Sequence, residues 1–168
     1  MSKPKVAVVF GSDSDWTVME KCVAQLRAFD IEPMVEVMSA HRNPTRVHEF
    51  ARGARADGIE VVIAGAGLSA ALAGTVAAAT TVLVIGVPLA SGTLQGVDAL
   101  LSTAQMPPGV PVACVGIGEA GAKNAALLAV QMLAGADAKL ADRYAQFKKD
   151  QARAIDDKNR ALQKRIRS

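Results

Sequence analysis

Short apolar runs that alternate with helical patterns constrain this chain more than any other feature. The first run, Val6–Phe10, is too short for a helix and rich in β-branched residues, which indicates a buried strand. After it, Trp16, Met19, Val23 and Leu26 recur every three or four residues, as on a helix that packs against a sheet. Strands that alternate with helices in this way predict an α/β protein with a parallel sheet.

The same alternation of strands and helices continues to about residue 134. We predict further strands at 33–38, 61–64, 82–87 and 112–117, and we expect Pro88 to stop the strand 82–87. Helices are predicted from Pro44 with Asn43 as the N-cap, after the stretch 65–74, over 97–104 and over 122–134. The predicted fold is a flavodoxin-like sheet of five parallel strands in the order 2-1-3-4-5.

The positive charge of the chain is concentrated near its C-terminus. The net charge is +3, yet residues 137–168 hold ten Lys and Arg against five Asp and Glu, whereas residues 1–136 hold nine against eleven. The body of the protein therefore has no cationic face of the kind that binds nucleic acid, and we predict no nucleic-acid partner.

The segment from Asp137 onward reads as one long polar helix with a thin apolar stripe. A helix this polar is poorly held by its own domain and more easily held by a neighbouring subunit. We therefore predict a catalytic domain at 1–136 and a helical extension at 137–168 that contacts another protomer in a homo-oligomer. The stripe consists of Leu140, Tyr144, Phe147, Ile155, Leu162 and Ile166.

Location is predicted from hydropathy and from the cysteines. No apolar run is long and uncharged enough to span a bilayer, and no signal peptide is visible before the first strand, so we expect no membrane partner. Cys22 and Cys114 lie far apart without metal or redox spacing, which favours buried structural thiols in a reducing cytoplasm.

The turn 11–15 after the first strand is the first candidate binding element. In a parallel sheet, ligands gather at the carboxyl ends of strands, and a helix N-terminus there attracts phosphate. Ser12 offers a hydroxyl donor and Asp15 can accept from a sugar hydroxyl. The alternative is that the serines and aspartates of this turn only cap the helix.

A second candidate element, Ser39–Arg42, follows the second predicted strand. The imidazole of His41 is suited to proton transfer near neutral pH, and Arg42 offers a forked cation for a phosphate or carboxylate. The alternative for His41 is a bond to a loop carbonyl, and His48 on the next helix is expected to be structural. Because nucleophile-elbow, P-loop and metal-ligand motifs are absent from the sequence, we expect metal-free acid/base chemistry on a phosphorylated small molecule.

The stretch after the third strand formally fits a dinucleotide fingerprint through Gly65, Gly67 and Ala70. The next acidic residue is Asp98, which is too far along to hold a ribose in the usual way. These glycines are better explained as positions where the backbone approaches a small ligand closely.

Several ordered motifs occur between residues 5 and 133, namely GSDSD at 11–15, SAHR at 39–42, AGAG at 64–67, IGVP at 85–88, QMPPGVPV at 105–112 and NAALLA at 124–129. Together they closely resemble the N5-carboxyaminoimidazole ribonucleotide mutase family of purine biosynthesis. That resemblance implies a three-layer αβα domain, an octamer with sites where subunits meet, and a cofactor-free transfer of a carboxylate from the exocyclic nitrogen to ring carbon 4.

The same resemblance assigns a role to each candidate residue. Ser12, Ser39 and Arg42 would hold the phosphate of a ribonucleotide substrate, and Asp15 would bind the ribose hydroxyls. His41 would be the general acid/base. Gly65 to Gly67, which include Ala66, would line a pocket for carbon dioxide that is released and then recaptured.

One stretch departs from the family pattern. The bacterial mutases usually read AGAGGAAHLPG here, whereas this chain has Ala71 in place of the family's second histidine and Ala73 in place of its proline. Arg42 and Gly67 nevertheless match the mutases rather than the direct carboxylases of the same fold, which read SAHK and AGRSN. Three functions follow as hypotheses: the mutase first, then a carboxylase that uses dissolved carbon dioxide, and last a non-enzymatic nucleotide-binding or assembly module.

Overall fold

The computed structural model of this protein describes residues 4–167. Within them, a five-stranded parallel sheet has the order β2-β1-β3-β4-β5, which confirms the predicted order. The strands are β1 Val6–Phe10, β2 Met34–Val37, β3 Val61–Gly67, β4 Leu83–Leu89 and β5 Ala113–Cys114. The helices are α1 Trp16–Arg27, α2 Pro44–Gly53, α3 Leu72–Ala79, α4 Val97–Ala104, α5 Gly118–Ala134 and α6 Ala138–Arg167.

Helices cover both faces of the sheet, because the central strands are apolar on both sides. Ala7 and Val9 of β1 share a core cluster with Val47 of α2. On the opposite face, a Cβ at Gly65 of β3 would lie 2.6 Å from the sulfur of Met19 in α1. Helices therefore pack on both faces of the sheet, which is the three-layer αβα arrangement that the family resemblance implied.

The carboxyl ends of β3 and β4 lie beyond the predicted ones and extend the sheet toward its carboxyl edge, whereas β2 is one residue shorter than predicted at each end. β3 runs on to Gly67, and β4 passes through Pro88 to Leu89 instead of stopping there. Pro88 pairs with Ala66 of β3, while the neighbouring β5 reaches only as far as Gly86 along β4. Proline has no N–H to donate to a neighbouring strand, and it is tolerated here because β5 does not extend to this position of β4.

The region of β5 and α5 was predicted less accurately. β5 has only two residues instead of six, and α5 begins at Gly118 instead of Ala122. Glycine disfavours a helix on intrinsic propensity. Gly121, however, lies so close to the carbonyl oxygen of Gly116 that a side chain there would collide with it. The backbone that leads into α5 therefore selects glycine in this first turn, through a local contact that hydrophobic periodicity does not report.

The described chain forms two compact units that divide between Ala129 and Val130. In the second unit, α6 is the long polar helix that the sequence predicted, and every residue from 151 to 167 is exposed. Residues 1–3 and Ser168, the ends of the predicted segments 1–136 and 137–168, lie outside the described residues.

Hydropathy and thiol burial complete the description. Across residues 4–167, no helix combines the length and apolar character needed to cross a membrane. Cys22 is buried, and this burial raises the pKa of its thiol to about 12. Cys114 is only partly buried, so the expectation of two buried thiols is correct for Cys22 alone.

Candidate active site

A cleft of about 520 Å³ lies at the carboxyl ends of the central strands. It is formed by the loops that follow β1, β2, β3 and β4, which the parallel register brings to one edge of the sheet. Seven of the residues predicted from the sequence line it, namely Ser12, Asp15, Ser39, His41, Arg42, Ala66 and Gly67. Gly65, which was also expected to line a carbon dioxide pocket, is buried in β3 and is not part of the lining. The further lining residues include Ser14, Leu68, Ser69, Ala71 and Ser91.

The turn after β1 is held in place by its own side chains. Asp15 Oδ2 accepts a hydrogen bond from the N–H of Ser12 at 3.0 Å, and Asp13 Oδ1 accepts one from the N–H of Ser14 at 3.0 Å. Ser14 Oγ donates to Ser12 Oγ at 2.9 Å. The aspartates therefore do cap this turn, and the same bonds fix two hydroxyl groups at the wall of the cleft.

Asp15 is the carboxylate with an altered pKa in this cleft. Its partial burial raises the pKa above the ordinary value, while the N–H of Ser12 and the positive charge of Arg42 act in the opposite direction. Desolvation is the largest of these effects, so the ionised form is destabilised in the free protein. A ligand hydroxyl that donates to Asp15 would relieve part of that penalty.

Arg42 connects the end of β2 to the end of β1. Its Nη2 donates to the carbonyl oxygen of Gly11 at 2.5 Å, and its Nε donates to Ser39 Oγ at 3.3 Å. The backbone N–H of Arg42 also donates to Ser39 Oγ, at 3.2 Å. Because these acceptors are uncharged, they orient the guanidinium without neutralising it, and its charge remains available for an anion.

The two histidines of the chain have different surroundings. His41 is exposed and lines the cleft beside Arg42. His48 lies on α2, is half-buried and is not part of the cleft lining, and its Nδ1 is buried without a hydrogen-bond partner. Of these two histidines, His41 is therefore the one placed to exchange a proton with a ligand in the cleft.

The loops after β3 and β4 interlock at the other side of the cleft. A side chain at Gly67 would collide with Ser91 Oγ, so only glycine allows this serine to sit against the end of β3. Sequence reasoning did not select Ser91, which lies in the stretch 89–95 after β4. Ser91 is identifiable only from the approach of the two loops in space.

The cleft therefore has two chemically different ends. One end carries the hydroxyls of Ser12 and Ser39 with the guanidinium of Arg42, a set suited to a phosphate. The end formed by β3 and the loops after β3 and β4 carries Ala66 and Ala71 together with Ser69 and Ser91, and His41 supplies an imidazole. In the part of the chain that the structure describes, no three His, Cys, Asp or Glu side chains form a metal-binding cluster.

Comparison with known proteins identifies the family. A family model described as AIR carboxylase matches residues 5–154. This chain belongs to the AIR carboxylase family. The match covers every residue of the cleft described above.

Relatives in this family are similar over most of their length. The chain is 52% identical over 162 residues to a Mycobacterium tuberculosis protein named N5-carboxyaminoimidazole ribonucleotide mutase, and the aligned region covers 96% of this chain and 92% of that one. A Pyrococcus abyssi protein of the same name is 49% identical over 150 residues, which cover 89% and 85% of the two chains. The crystal structure of Treponema denticola PurE matches with a TM-score of 0.83 and 32% identity, covering 92% of this chain and 95% of that one.

Proposed function

We propose that this protein is an N5-carboxyaminoimidazole ribonucleotide mutase of purine biosynthesis. The observation that carries the proposal is the convergence of His41, Arg42 and the turn after β1 on one cleft. Relatives about 50% identical bear the mutase name, which supports the same reaction for this chain.

The two ends of the cleft suit the two ends of such a substrate. Ser12, Ser39 and Arg42 bind the phosphate, since two hydroxyl donors and a preoriented guanidinium match its oxygen atoms. Asp15 accepts hydrogen bonds from the ribose hydroxyls. The imidazole ring of the substrate then extends toward the glycine-containing end of β3, within reach of Ala66 and Gly67.

The proposed reaction moves one carboxyl group without net change in composition. The bond between the exocyclic nitrogen and its carboxyl carbon breaks, the electron pair stays on nitrogen, and that nitrogen gains a proton as carbon dioxide is released. The electron pair at ring carbon 4 then attacks the carbon dioxide to form the new C–C bond. His41 removes the proton left on carbon 4, so one proton gained and one proton lost balance.

Separate supply of the two candidate substrates tests this proposal. The mutase converts N5-carboxyaminoimidazole ribonucleotide to the C4-carboxylated product without added bicarbonate, as followed by product absorbance. Conversion of only the uncarboxylated ribonucleotide, and only with bicarbonate, would contradict it.

Direct carboxylation of aminoimidazole ribonucleotide is the second candidate function. The description of the matching family model, AIR carboxylase, favours it. Ala71 is the residue of the cleft that bears on the choice, because it stands where the mutases usually have a histidine. A protein that binds the ribonucleotide and turns over neither substrate would instead be the non-enzymatic module.

We also propose that the protein works as a homo-oligomer, an octamer as the family resemblance implies, with α6 in its contacts. The support is the exposure of three large apolar side chains on α6: Ile155 at 62%, Leu162 at 50% and Ile166 at 67%. The proposed substrate is a phosphorylated ribonucleotide that does not cross membranes unaided, and this chemistry supports a cytoplasmic location.

A further inference from the structure

A second cavity, of about 410 Å³, lies at the edge of the sheet opposite the cleft. α2 begins two residues after Arg42 of the cleft and runs back to Gly53, and β4 begins at Leu83, just after the turn that follows α3. The end of α2 and this turn line the second cavity, with the residues Arg52, Arg55, Ala56, Ala79, Thr80 and Thr81. The reaction proposed for the cleft gives these residues no role.

Arg55 is held in a fixed orientation beside this cavity. Its Nε donates to Thr81 Oγ1 and its Nη2 donates to the carbonyl oxygen of Thr81, both at 2.7 Å. Because both acceptors are uncharged, they orient the guanidinium without neutralising it. Within the described residues Nη1 makes no hydrogen bond, so it can donate to a further acceptor, and the Thr81 hydroxyl can donate its own proton as well.

Arg52 brings a second guanidinium to the same cavity. It lies in the last turn of α2, and Ala54 continues the helical backbone with a φ of −48° and a ψ of −47°, so Arg52 and Arg55 lie one turn apart on the same side. Both side chains are exposed, and within residues 4–167 neither forms an ion pair with a carboxylate. Two like charges at this spacing repel each other, and an anion bound between them would remove that repulsion.

The end of the helix explains only part of this arrangement. Carbonyl groups at a helix C-terminus attract cations, which accounts for Arg52 in the last turn of α2. It does not account for Arg55, whose bonds reach a turn 26 residues away along the chain. Nor does it account for a second hydroxyl in the lining, that of Thr80, which accepts from the N–H of Val82 at 3.3 Å and keeps its own proton to donate.

We infer that this cavity is a second binding site, which takes the phosphate group of a small phosphorylated molecule. Two guanidinium groups and two hydroxyls match the oxygen atoms of a phosphate, and none of the six lining residues is acidic. The volume falls within the ~300–1,000 Å³ that small-molecule sites occupy, so there is room for an organic group beside the phosphate. The methyl groups of Ala56 and Ala79 offer that group an apolar contact. The inference does not depend on the reaction proposed for the cleft.

Calorimetry with two probes tests this site. Inorganic phosphate and adenosine 5′-monophosphate (AMP) are titrated separately into the Arg42→Ala variant, in which the proposed phosphate site of the cleft is weakened. AMP should bind with one site per chain and more tightly than inorganic phosphate, because its organic part adds contacts. Adding Arg52→Gln should weaken AMP binding by about tenfold or more, since it removes a charge-assisted contact.

Two further substitutions in the same Arg42→Ala background separate a built site from general attraction to positive charge. Thr81→Val keeps the net charge and nearly the shape of the side chain but removes the hydroxyl that orients Arg55, so AMP binding should weaken several-fold. Lys123→Gln is the matched control for loss of charge, since Lys123 is exposed and does not line the cavity, and it should leave AMP binding unchanged.

Each outcome bears on this site and not on the chemistry of the cleft. Unchanged AMP affinity in both Arg52→Gln and Thr81→Val would overturn the inference. An equal loss of affinity in Lys123→Gln would also overturn it, because the overall charge of the protein would then account for binding. Inorganic phosphate that binds as tightly as AMP would contradict a site for a phosphorylated organic molecule. Because the two cavities are separate, none of these results changes the ribonucleotide affinity expected for the cleft.

Discussion

The loops at the cleft and the helix α6 both expose side chains to solvent, but they differ in how those side chains are held. In the loops, Arg42 bonds to Gly11 and Ser39, and Asp15 bonds to the backbone of Ser12, so the polar side chains are held by contacts made within their own unit. In α6, residues 151–167 are all exposed, with large apolar side chains among them.

The contrast shows two ways in which a chain uses exposed residues. At the cleft, exposed groups are preorganised for a small ligand, which lowers the entropy that binding has to overcome. On α6, large exposed apolar groups suit a surface that a second protein chain covers. Substitutions in the cleft should therefore change chemistry and ligand affinity, whereas substitutions on α6 should change assembly.

The largest effect is expected at His41. His41→Asn keeps much of the shape of the side chain but cannot shuttle a proton, so kcat should fall by ~10²–10⁴-fold while the ligand still binds. Steady-state kinetics and calorimetry measure the two quantities. His48→Asn is the control, because His48 lies outside the cleft lining, and it should keep its turnover. Equal losses in both variants would contradict the assignment of His41.

Arg42 should have the next largest effect, and on binding. Arg42→Ala removes a charge-assisted contact worth about 1.5–3 kcal/mol, so ribonucleotide binding should weaken by roughly 10- to 150-fold. Arg52→Ala removes an equal positive charge at the other end of α2, outside the cleft, and should leave the affinity unchanged. Unchanged affinity of Arg42→Ala in calorimetry would refute the phosphate site.

Substitutions on α6 should lower the mass of the assembly. A triple variant, Ile155→Lys with Leu162→Lys and Ile166→Lys, places charge on the exposed apolar side chains and should give a smaller particle in light scattering. The matched control is Gln151→Lys with Asn159→Lys and Gln163→Lys, which adds the same charge at exposed polar positions. Full assembly in the first variant would show that these side chains make no contact between protomers.

The same helix can be removed altogether. Truncation after Ala136 should also lower the oligomer mass, because it deletes every apolar residue of α6. A truncated protein that keeps its full assembly would show that α6 does not hold protomers together.

The smallest effect is expected on the melting temperature when Asp15 is substituted. Because burial raises its pKa, the folded protein binds more protons than the unfolded chain between the ordinary pKa of 3.8 and the raised one, so this group destabilises the fold as pH rises through that window. Asp15→Asn should therefore melt at the same temperature as the wild type or slightly higher at neutral pH, while it weakens ribonucleotide binding. The difference in melting temperature should vanish once the pH falls below 3.8. A melting temperature well below that of the wild type would show that Asp15 is primarily a structural cap.

Local sequence was sufficient for the elements that depend on hydrophobic periodicity. Val6–Phe10 is a strand with the predicted bounds, and Asn43 accepts from the N–H of Arg46 as the predicted N-cap of α2. The sequence patterns of short buried strands and of capped helices lie within a few consecutive residues of the chain. The turn 11–15 and the segment Ser39–Arg42 were identified in the same way, because motifs at the ends of parallel strands meet at one edge. The role of each candidate residue, and the choice of Ala66, came from the family resemblance.

The sequence by itself determined the parallel sheet, its order and the residues that reach its carboxyl edge, since periodicity and strand-end motifs are written within a few neighbouring positions. Only the tertiary structure decided that β4 continues through Pro88, that Gly67 makes room for Ser91 and that Leu68 lies on Gly92. These features depend on how closely two loops distant in sequence approach each other. Steric exclusion between such loops has no periodicity, so it becomes visible only when the packed chain brings them together.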